Sequence, residues 1–403
     1  MKRISVLLLA SVSFCFAQDP HGLARDNRSE GTNVGLHFQT NTTSVPRVPT
    51  TPRLRPTPTP RPPPSRFVEP HFLLPPNPEV NDYRPVVNAE GTKVVFERYP
   101  TGNASDVKLY PTGNASDTKL YILDLATGDV QPFVTFASTR PDWCWISSGG
   151  TLTSGPVAFS NNDGIYRVDP SGTPTPLPGT ANMIYPAWYP GCQYLAVDVS
   201  ARADLGQGCN EPARPLTAKI DATTGAVVVC RLANDTVWAG FPSVNQVNPN
   251  LVAFAGQFNG ESNYYDQDLN YSWVTDTSTQ PPHVTPFDHD APTGPAFLQK
   301  FQARTGWWSP DGKWFAFESN RICDDLSGQT YAIFIQDASG TQPAIQVSDC
   351  KWNVQHPKWF PPRNDGKTLL IAPVQPVPRP GQSPQPYRLA TFDVSRLVIG
   401  TGP

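Results

Sequence analysis

From about residue 81 onward, short apolar or alternating runs recur between clusters of Gly, Pro, Asn and Asp. Lys93–Glu97, Lys119–Leu125, Tyr194–Val199, Leu251–Ala255, Trp314–Glu318 and Thr368–Ala372 have the length and the β-branched or aromatic content of strands. No stretch carries a convincing amphipathic helical period. An all-β chain punctuated this regularly by turns folds as a sandwich, a barrel or a propeller.

The pattern upstream is different. Residues 18–44 are polar and show no sustained period. Residues 45–78 are dense in proline, with Arg47, Arg53, Arg55, Arg61 and Arg66 between the prolines. Proline fixes φ and removes a donor, so this stretch favours extended polyproline II. Residues 18–80 are therefore expected to be a disordered Pro/Thr/Arg-rich linker. Its arginines serve either as solubilising charges on a spacer or as a basic arm that meets an anionic partner. Residues 66–74, with His71-Phe72-Leu73-Leu74, could dock on the folded domain as an extended segment.

At the start, Met1-Lys2-Arg3 is basic, Ile4–Phe16 is apolar, and Cys15 and Ala17 place small residues before Gln18. This predicts a signal peptide over residues 1–17 and an exported, periplasmic or secreted protein. The apolar run is shorter than the roughly 20 residues a membrane-spanning helix needs, so no span is expected once the signal is removed. Cysteine usage agrees with export. Without Cys15, six cysteines are left, with no close CxxC pair that would suggest a structural zinc site.

Composition changes the picture little. In 403 residues the formal net charge is -3 and charged residues make up 16%, so no field would gather nucleic acid. The 47 prolines lie disproportionately in the linker, and 11% aromatics argue for a folded domain beyond it.

A repeat chooses among the all-β folds. Trp307-Trp308-Ser309-Pro310-Asp311-Gly312-Lys313-Trp314-Phe315-Ala316-Phe317-Glu318-Ser319-Asn320-Arg321 is a tight Pro-Asp-Gly turn between two strands. Weaker copies stand at 89–96, 155–160, 188–197, 247–254 and 359–372. The unit, with Trp308, Pro310, Asp311, Gly312 and Phe317 as its marks, closely resembles the repeat of TolB-like β-propellers. The hydrophobic residues closing the copies are Phe96, Phe159, Val197, Phe254, Phe317 and Ile371. Their spacing of 38 to 63 residues suits four-stranded blades. The resemblance implies an all-β, six-bladed propeller over residues 81–398. Within it, Tyr99–Leu109 is followed at once by a near-identical copy, Tyr110–Leu120. That duplication is expected to enlarge a loop between the second and third strands of the first blade.

The blade layout also prunes the fifteen pairings that six cysteines allow. Cys323 with Cys350 and Cys209 with Cys230 each join the exit of a second strand to the exit towards the next blade. Cys144 with Cys192 remains.

Candidate chemistry is sparse. Asp266 and Asp268 alternate like calcium ligands, but the Gly and distal Glu of a calcium loop are missing. Calcium is thus a weak expectation, and no other cofactor is expected. His283, His289 and Asp290 flank the connection between blades four and five and could ligate a metal or exchange protons. His356-Pro357 suits a structural role, and Ser309 is a turn residue. Six N-x-S/T sequons stand at Asn27, Asn41, Asn103, Asn114, Asn234 and Asn270. No nucleophile elbow, zinc-protease motif or nucleotide fingerprint occurs. TolB-like propellers bind partners on one face or at the channel mouth. The resemblance therefore implies a monomeric, non-catalytic scaffold that binds a protein or envelope component. The alternative is a carbohydrate-binding propeller, or a hydrolase or lyase acting on an extracellular polymer.

Overall fold

In the computed structural model the described residues are 67–101, 117–169, 172–199, 209, 216–233, 236–258, 271–278, 282–286, 302–323, 330–379 and 381–398. The expected signal peptide, residues 18–66 and all six sequons lie outside them. So do residues 102–116, most of the tandem duplication.

The described chain starts with β1 (His71–Phe72) and then builds sheets in sequence. Blade one is β2 (Val80–Val87), β3 (Lys93–Pro100), β4 (Lys119–Asp124) and β5 (Val130–Pro132). Blade two is β6 (Thr139–Ser148), β7 (Thr151–Asn161), β8 (Gly164–Val168) and β9 (Thr175–Pro176). Blade three is β10 (Met183–Trp188), β11 (Tyr194–Val199), β12 (Leu216–Asp221) and β13 (Val227–Val229). Blade four is β14 (Thr236–Val244), β15 (Leu251–Phe258), β16 (Tyr271–Asp276) and β17 (His283–Pro286). Blade five is β18 (Ala303–Trp308), β19 (Trp314–Ser319), β20 (Ala332–Asp337) and β21 (Ile345–Gln346). In blade six, β22 (Trp352–Val354) and β23 (Lys358–Trp359) share the inner position against β24 (Leu369–Pro376), and β25 (Arg388–Asp393) follows. A single helical turn, α1 (Ser395–Val398), ends the described chain.

This is the six-bladed β-propeller of four-stranded antiparallel blades that the TolB-like repeat implied. The residues Phe96, Phe159, Val197, Phe254, Phe317 and Ile371 all fall on second strands. The repeat works as a turn. Gly312 takes φ +69°, and Asp311 Oδ1 accepts the Lys313 amide at 3.1 Å. A Cβ on Gly312 would approach Asn245 Oδ1 of the neighbouring blade to 2.6 Å, so that position also needs glycine for space.

The core lies between blades. Val86, Val95 and Leu120 of blade one pack on Val157, Phe159 and Val168 of blade two. Ala316, Ile333 and Ile335 of blade five meet Trp359, Leu370 and Phe392 of blade six in the same way. The disulfides are Cys144–Cys192, Cys209–Cys230 and Cys323–Cys350, the pairing read from the blade layout. The first joins blades two and three.

The propeller takes in more chain than a start at residue 81 allows. β1 pairs with β25, His71 opposite Thr391 and Phe72 opposite Ala390, and supplies blade six with its outer strand. Just before it, Val68 donates its amide to the Val347 carbonyl of blade five at 2.8 Å. Phe72 stands edge-on to Trp352 under the Arg388 guanidinium. The strand is short because Pro70 and Pro75 bracket it and donate no ladder bonds. Cutting the chain after residue 75 therefore unfolds the propeller at a markedly lower temperature than cutting it after residue 66. Thermal denaturation of the two truncations, with disulfides intact, measures the difference.

Candidate functional site

Each inner strand breaks its ladder at one shared level, and β6 and β14 each break it a second time elsewhere. Two residues on the inner strand face one on the second strand: 84 and 85 face 96, 140 and 141 face 159, 185 and 186 face 197, 241 and 242 face 254, and 305 and 306 face 317. In blade six the break separates β22 from β23 at residues 355–357. The first residue of each bulge, or His356 in blade six, has positive φ, from 41° at Arg84 to 57° at Arg140. The next residue is proline in five blades (85, 141, 186, 242 and 357) and Gly306 in blade five. Proline is tolerated because an inner strand has no neighbour on its channel side. Gly306 is required because a Cβ there would lie 2.1 Å from the Phe315 ring.

Turned through the bulge, four of the left-handed residues send their amides to the preceding blade. Arg140 donates to Glu97 Oε1 at 2.5 Å, Tyr185 to Ser160 Oγ at 3.1 Å, Phe241 to Asp198 Oδ2 at 3.0 Å and His356 to Glu318 Oε2 at 2.5 Å. The acceptor always follows the closing hydrophobic of its motif. Ala255 and Ala372 stand there in blades four and six. A second device uses indoles. Trp145, Trp188, Trp308 and Trp359 donate Nε1–H to the carbonyls of Val87, Asp142, Ser243 and Trp307 in the preceding blade, at 2.8 to 3.1 Å.

The bulges ring the axis and line a chamber whose wall includes Arg84, Arg140, Tyr185, Phe241, Thr305 and His356. Arg84 donates through Nη1 to both oxygens of Glu97 at 3.0 and 3.1 Å and through Nη2 to the Tyr185 hydroxyl at 3.2 Å. Arg140 lies over the Tyr185 ring, 4.1 Å from its centroid. Arg304 pairs with Glu318 at 2.7 Å. A second chamber, nearer the turns between first and second strands, is walled by Trp143, Trp145, Trp188, Trp307, Trp308 and Trp359. Lys358 borders both. Its Nζ stands 3.4 Å from Asp142 Oδ1 of blade two and over the Trp307 ring.

Burial governs the protons here. It draws the Lys358 ammonium down to about 7, against the attraction of Asp142. It raises the Asp142 carboxyl, although Lys358 and the Trp188 and Trp143 amides pull the other way. Both partners of the pair thus shift towards their neutral forms, which means desolvation outweighs their attraction. His356 is held well below its ordinary value by burial and by Arg84, Arg304, Lys358 and Arg140.

Of the residues singled out in the sequence, Trp308 and Pro310 line the second chamber and His356 the first, whereas Asp311, Gly312 and Phe317 line neither. Trp308 is an inter-blade donor, Pro310, Asp311 and Gly312 form a turn, and Phe317 faces a bulge. His283 lies in β17, the outer strand of blade four, and its side chain is outside the description. Asp266, Asp268, His289 and Asp290 are outside the described residues. Among the described residues no group of three or more His, Cys, Asp or Glu is placed to hold a metal ion, and no helix is long and apolar enough to cross a membrane. The channel set as a whole was missed, although an X-Pro dipeptide ahead of the motif marks it in five of the six blades.

No family model and no curated protein matches the chain. Solved structures do. TolB from Acinetobacter baumannii shares 15% identity, covering 78% of this chain and 64% of its own, with a TM-score of 0.42. This chain thus spans just under two thirds of that TolB. A protein of unknown function from Dyadobacter fermentans DSM 18053 shares 11% identity over 81% of this chain and 99% of its own, with a TM-score of 0.47. The α-L-arabinofuranosidase Arb93A of Fusarium graminearum shares 13% over 82% and 99%, with a TM-score of 0.44. At this identity and overlap such similarity concerns shape alone, and the fold assignment rests on the strand pairing.

Two consequences are measurable. Glu97→Ala strands the buried Arg84 and removes the acceptor for the Arg140 amide, which costs about 3–5 kcal/mol in denaturant unfolding. For Lys358, the folded state releases its proton near pH 7 and the unfolded chain near pH 10. Between those values the unfolded state holds more protons, so stability gains from rising pH. Relative to Lys358→Met, the native protein therefore grows more stable from pH 7 to 9, by at most about 1.4 kcal/mol per pH unit. Paired unfolding curves at each pH read this difference.

Proposed function

We propose that the protein is an exported, non-catalytic binding scaffold that engages a protein or envelope component at the bulge-ringed mouth of its channel. One observation carries this reading. The carboxylates gathered at the axis are engaged in holding the blades together. Glu97, Asp198 and Glu318, the three that latch bulge amides, accept from the next blade. A carboxylate so committed is a poor general acid or base, since protonation or movement would release a blade junction. What the channel offers instead is a rigid wall of Arg84, Arg140, Tyr185 and Phe241. Aromatic and arginine groups on a fixed frame are the residues that dominate binding surfaces.

Three disulfides support an oxidising compartment, periplasmic or extracellular. Two of them, Cys209–Cys230 and Cys323–Cys350, brace the side of the disc where second strands exit and the chain passes to the next blade. The bulge chamber is nearer that side, so the bracing would keep a docking face in shape.

The test immobilises residues 18–403 with disulfides intact and offers envelope extract in one arm and a glycan array in the other. The expected result is a protein held by the native chain and lost at least tenfold with Arg140→Glu or Phe241→Ala. Retention of a glycan, or of a protein indifferent to both variants, would overturn the reading.

A further inference from the structure

Lys358 is a channel group that this binding role does not use, and its setting is unusual. It projects from β23 of blade six past blade one to β6 of blade two, where its Nζ lies 3.4 Å from Asp142 Oδ1. Its side chain is only 15% exposed, yet it forms part of the wall of both chambers. A buried amine with open space on two sides and a carboxylate beside it is arranged to react rather than only to pair.

The chamber on the bulge side adds a second observation. Thr305 is buried, holds a strained φ of 49°, and its Oγ1 has no hydrogen-bond partner. Arg84 Nε, also buried, likewise has none. Both residues line the same chamber as Lys358. Buried polar atoms left unpaired are costly, and a ligand reaching this chamber would satisfy these two. A cationic donor and a hydroxyl together suit a carboxylate. The remaining wall, with Phe241, Pro186 and Pro242, admits a small and otherwise apolar body.

We propose that this chamber is a covalent site for small aldehydes that carry a carboxylate, held as an imine on Lys358. The neutral Nζ adds to the carbonyl carbon as the C=O π bond breaks, and Asp142 takes one proton from the nitrogen and passes it to the alkoxide oxygen, which gives a neutral carbinolamine. Asp142 then takes the second N–H proton and delivers it to the hydroxyl. The hydroxyl departs as water as the C=N bond forms. One amine and one aldehyde give one imine and one water, and nothing is oxidised or reduced. Burial supports the step by lowering the Lys358 ammonium to about 7, so neutral amine is present at neutral pH. The site shares Arg84 and Phe241 with the proposed docking wall, and its test, run without any partner, does not depend on that role.

The experiment incubates the disulfide-intact protein with glyoxylate at pH 7.5 and traps the imine with cyanoborohydride. Digestion and mass spectrometry then locate the modified lysines. Lys358 is expected to be modified at least tenfold faster than Lys93, Lys119, Lys313, Lys351 and Lys367. Glyoxylate is expected to exceed acetaldehyde, which lacks the carboxylate, at least fivefold at Lys358 and not at the others. Asp142→Asn slows Lys358 alone. If that variant does not fold, the glyoxylate-to-acetaldehyde ratio in the native chain decides. Labelling of Lys358 no faster than the surface lysines, or equal labelling by the two aldehydes, overturns the proposal.

Discussion

Six inner strands crowd one axis, and each has a neighbour on one side only. Its channel-facing backbone groups would otherwise point into a shared narrow space. The β-bulge resolves this. A left-handed residue turns the backbone so that one amide leaves the channel direction and reaches the preceding blade. A positive φ on Arg, Tyr, Phe, Thr or His costs free energy, so something must hold it. At four junctions the holder is Glu97, Ser160, Asp198 or Glu318. A hydrogen bond to a carboxylate contributes about 1.5–3 kcal/mol, enough to offset one such residue. Strain and latch are therefore one device, repeated around the ring.

This device decides what the axis can be. Carboxylates brought there to hold amides need counter-charges in a dry place, and Arg84 and Arg304 supply them from the same blades. Buried pairs of this kind fix geometry more than they add stability. The result is a channel wall whose charged groups are mostly bound to one another, with aromatic and proline rings filling the intervals. Lys358 departs from the scheme, because its acid lies two blades away and burial outweighs the pair's attraction.

The blades were legible in the sequence because the Pro-Asp-Gly turn and its following strand are local. The hydrogen bonds that shape the Ser309–Trp314 turn lie within it, so degenerate copies could be aligned on one hydrophobic residue. The disulfides followed, since strand order brings Cys323 to Cys350 and Cys209 to Cys230 whatever the side chains between them. The channel was not legible. Glu97 and Arg140 are far apart in the chain, and neither residue type nor spacing says that one accepts the other's amide. His356-Pro357 was read as structural, but its five counterparts were not aligned with it, because the bulge precedes the motif at unequal distances. β1 was legible only as an extended segment, 66–74, that could dock on the folded domain. Two residues between prolines carry no strand periodicity, and only the partner strand β25 makes them a strand.

The closing junction shows how far the device can be dispensed with. Between blades six and one the latch position is Ala372, no disulfide crosses, and no indole donor among the described residues spans the gap. Tyrosines do the work instead. Tyr83 stacks edge-on against Tyr387 with ring centroids 5.0 Å apart, and its hydroxyl donates to Gln355 Oε1. Tyr387 in turn takes hydrogen bonds from Asn353 and Gln355 at 2.9 and 3.0 Å, and its amide donates to Asn81 at 2.9 Å. Such a cluster is directional but extends over a few side chains, whereas a ring of blades must resist opening along its whole radius. β1 supplies that at the outer edge. It is drawn from the start of the described chain, laid on the last-formed sheet, and anchored beyond it to blade five through Val68. Closure thus joins the two ends of the domain through backbone hydrogen bonds, where no side-chain latch is available to do it.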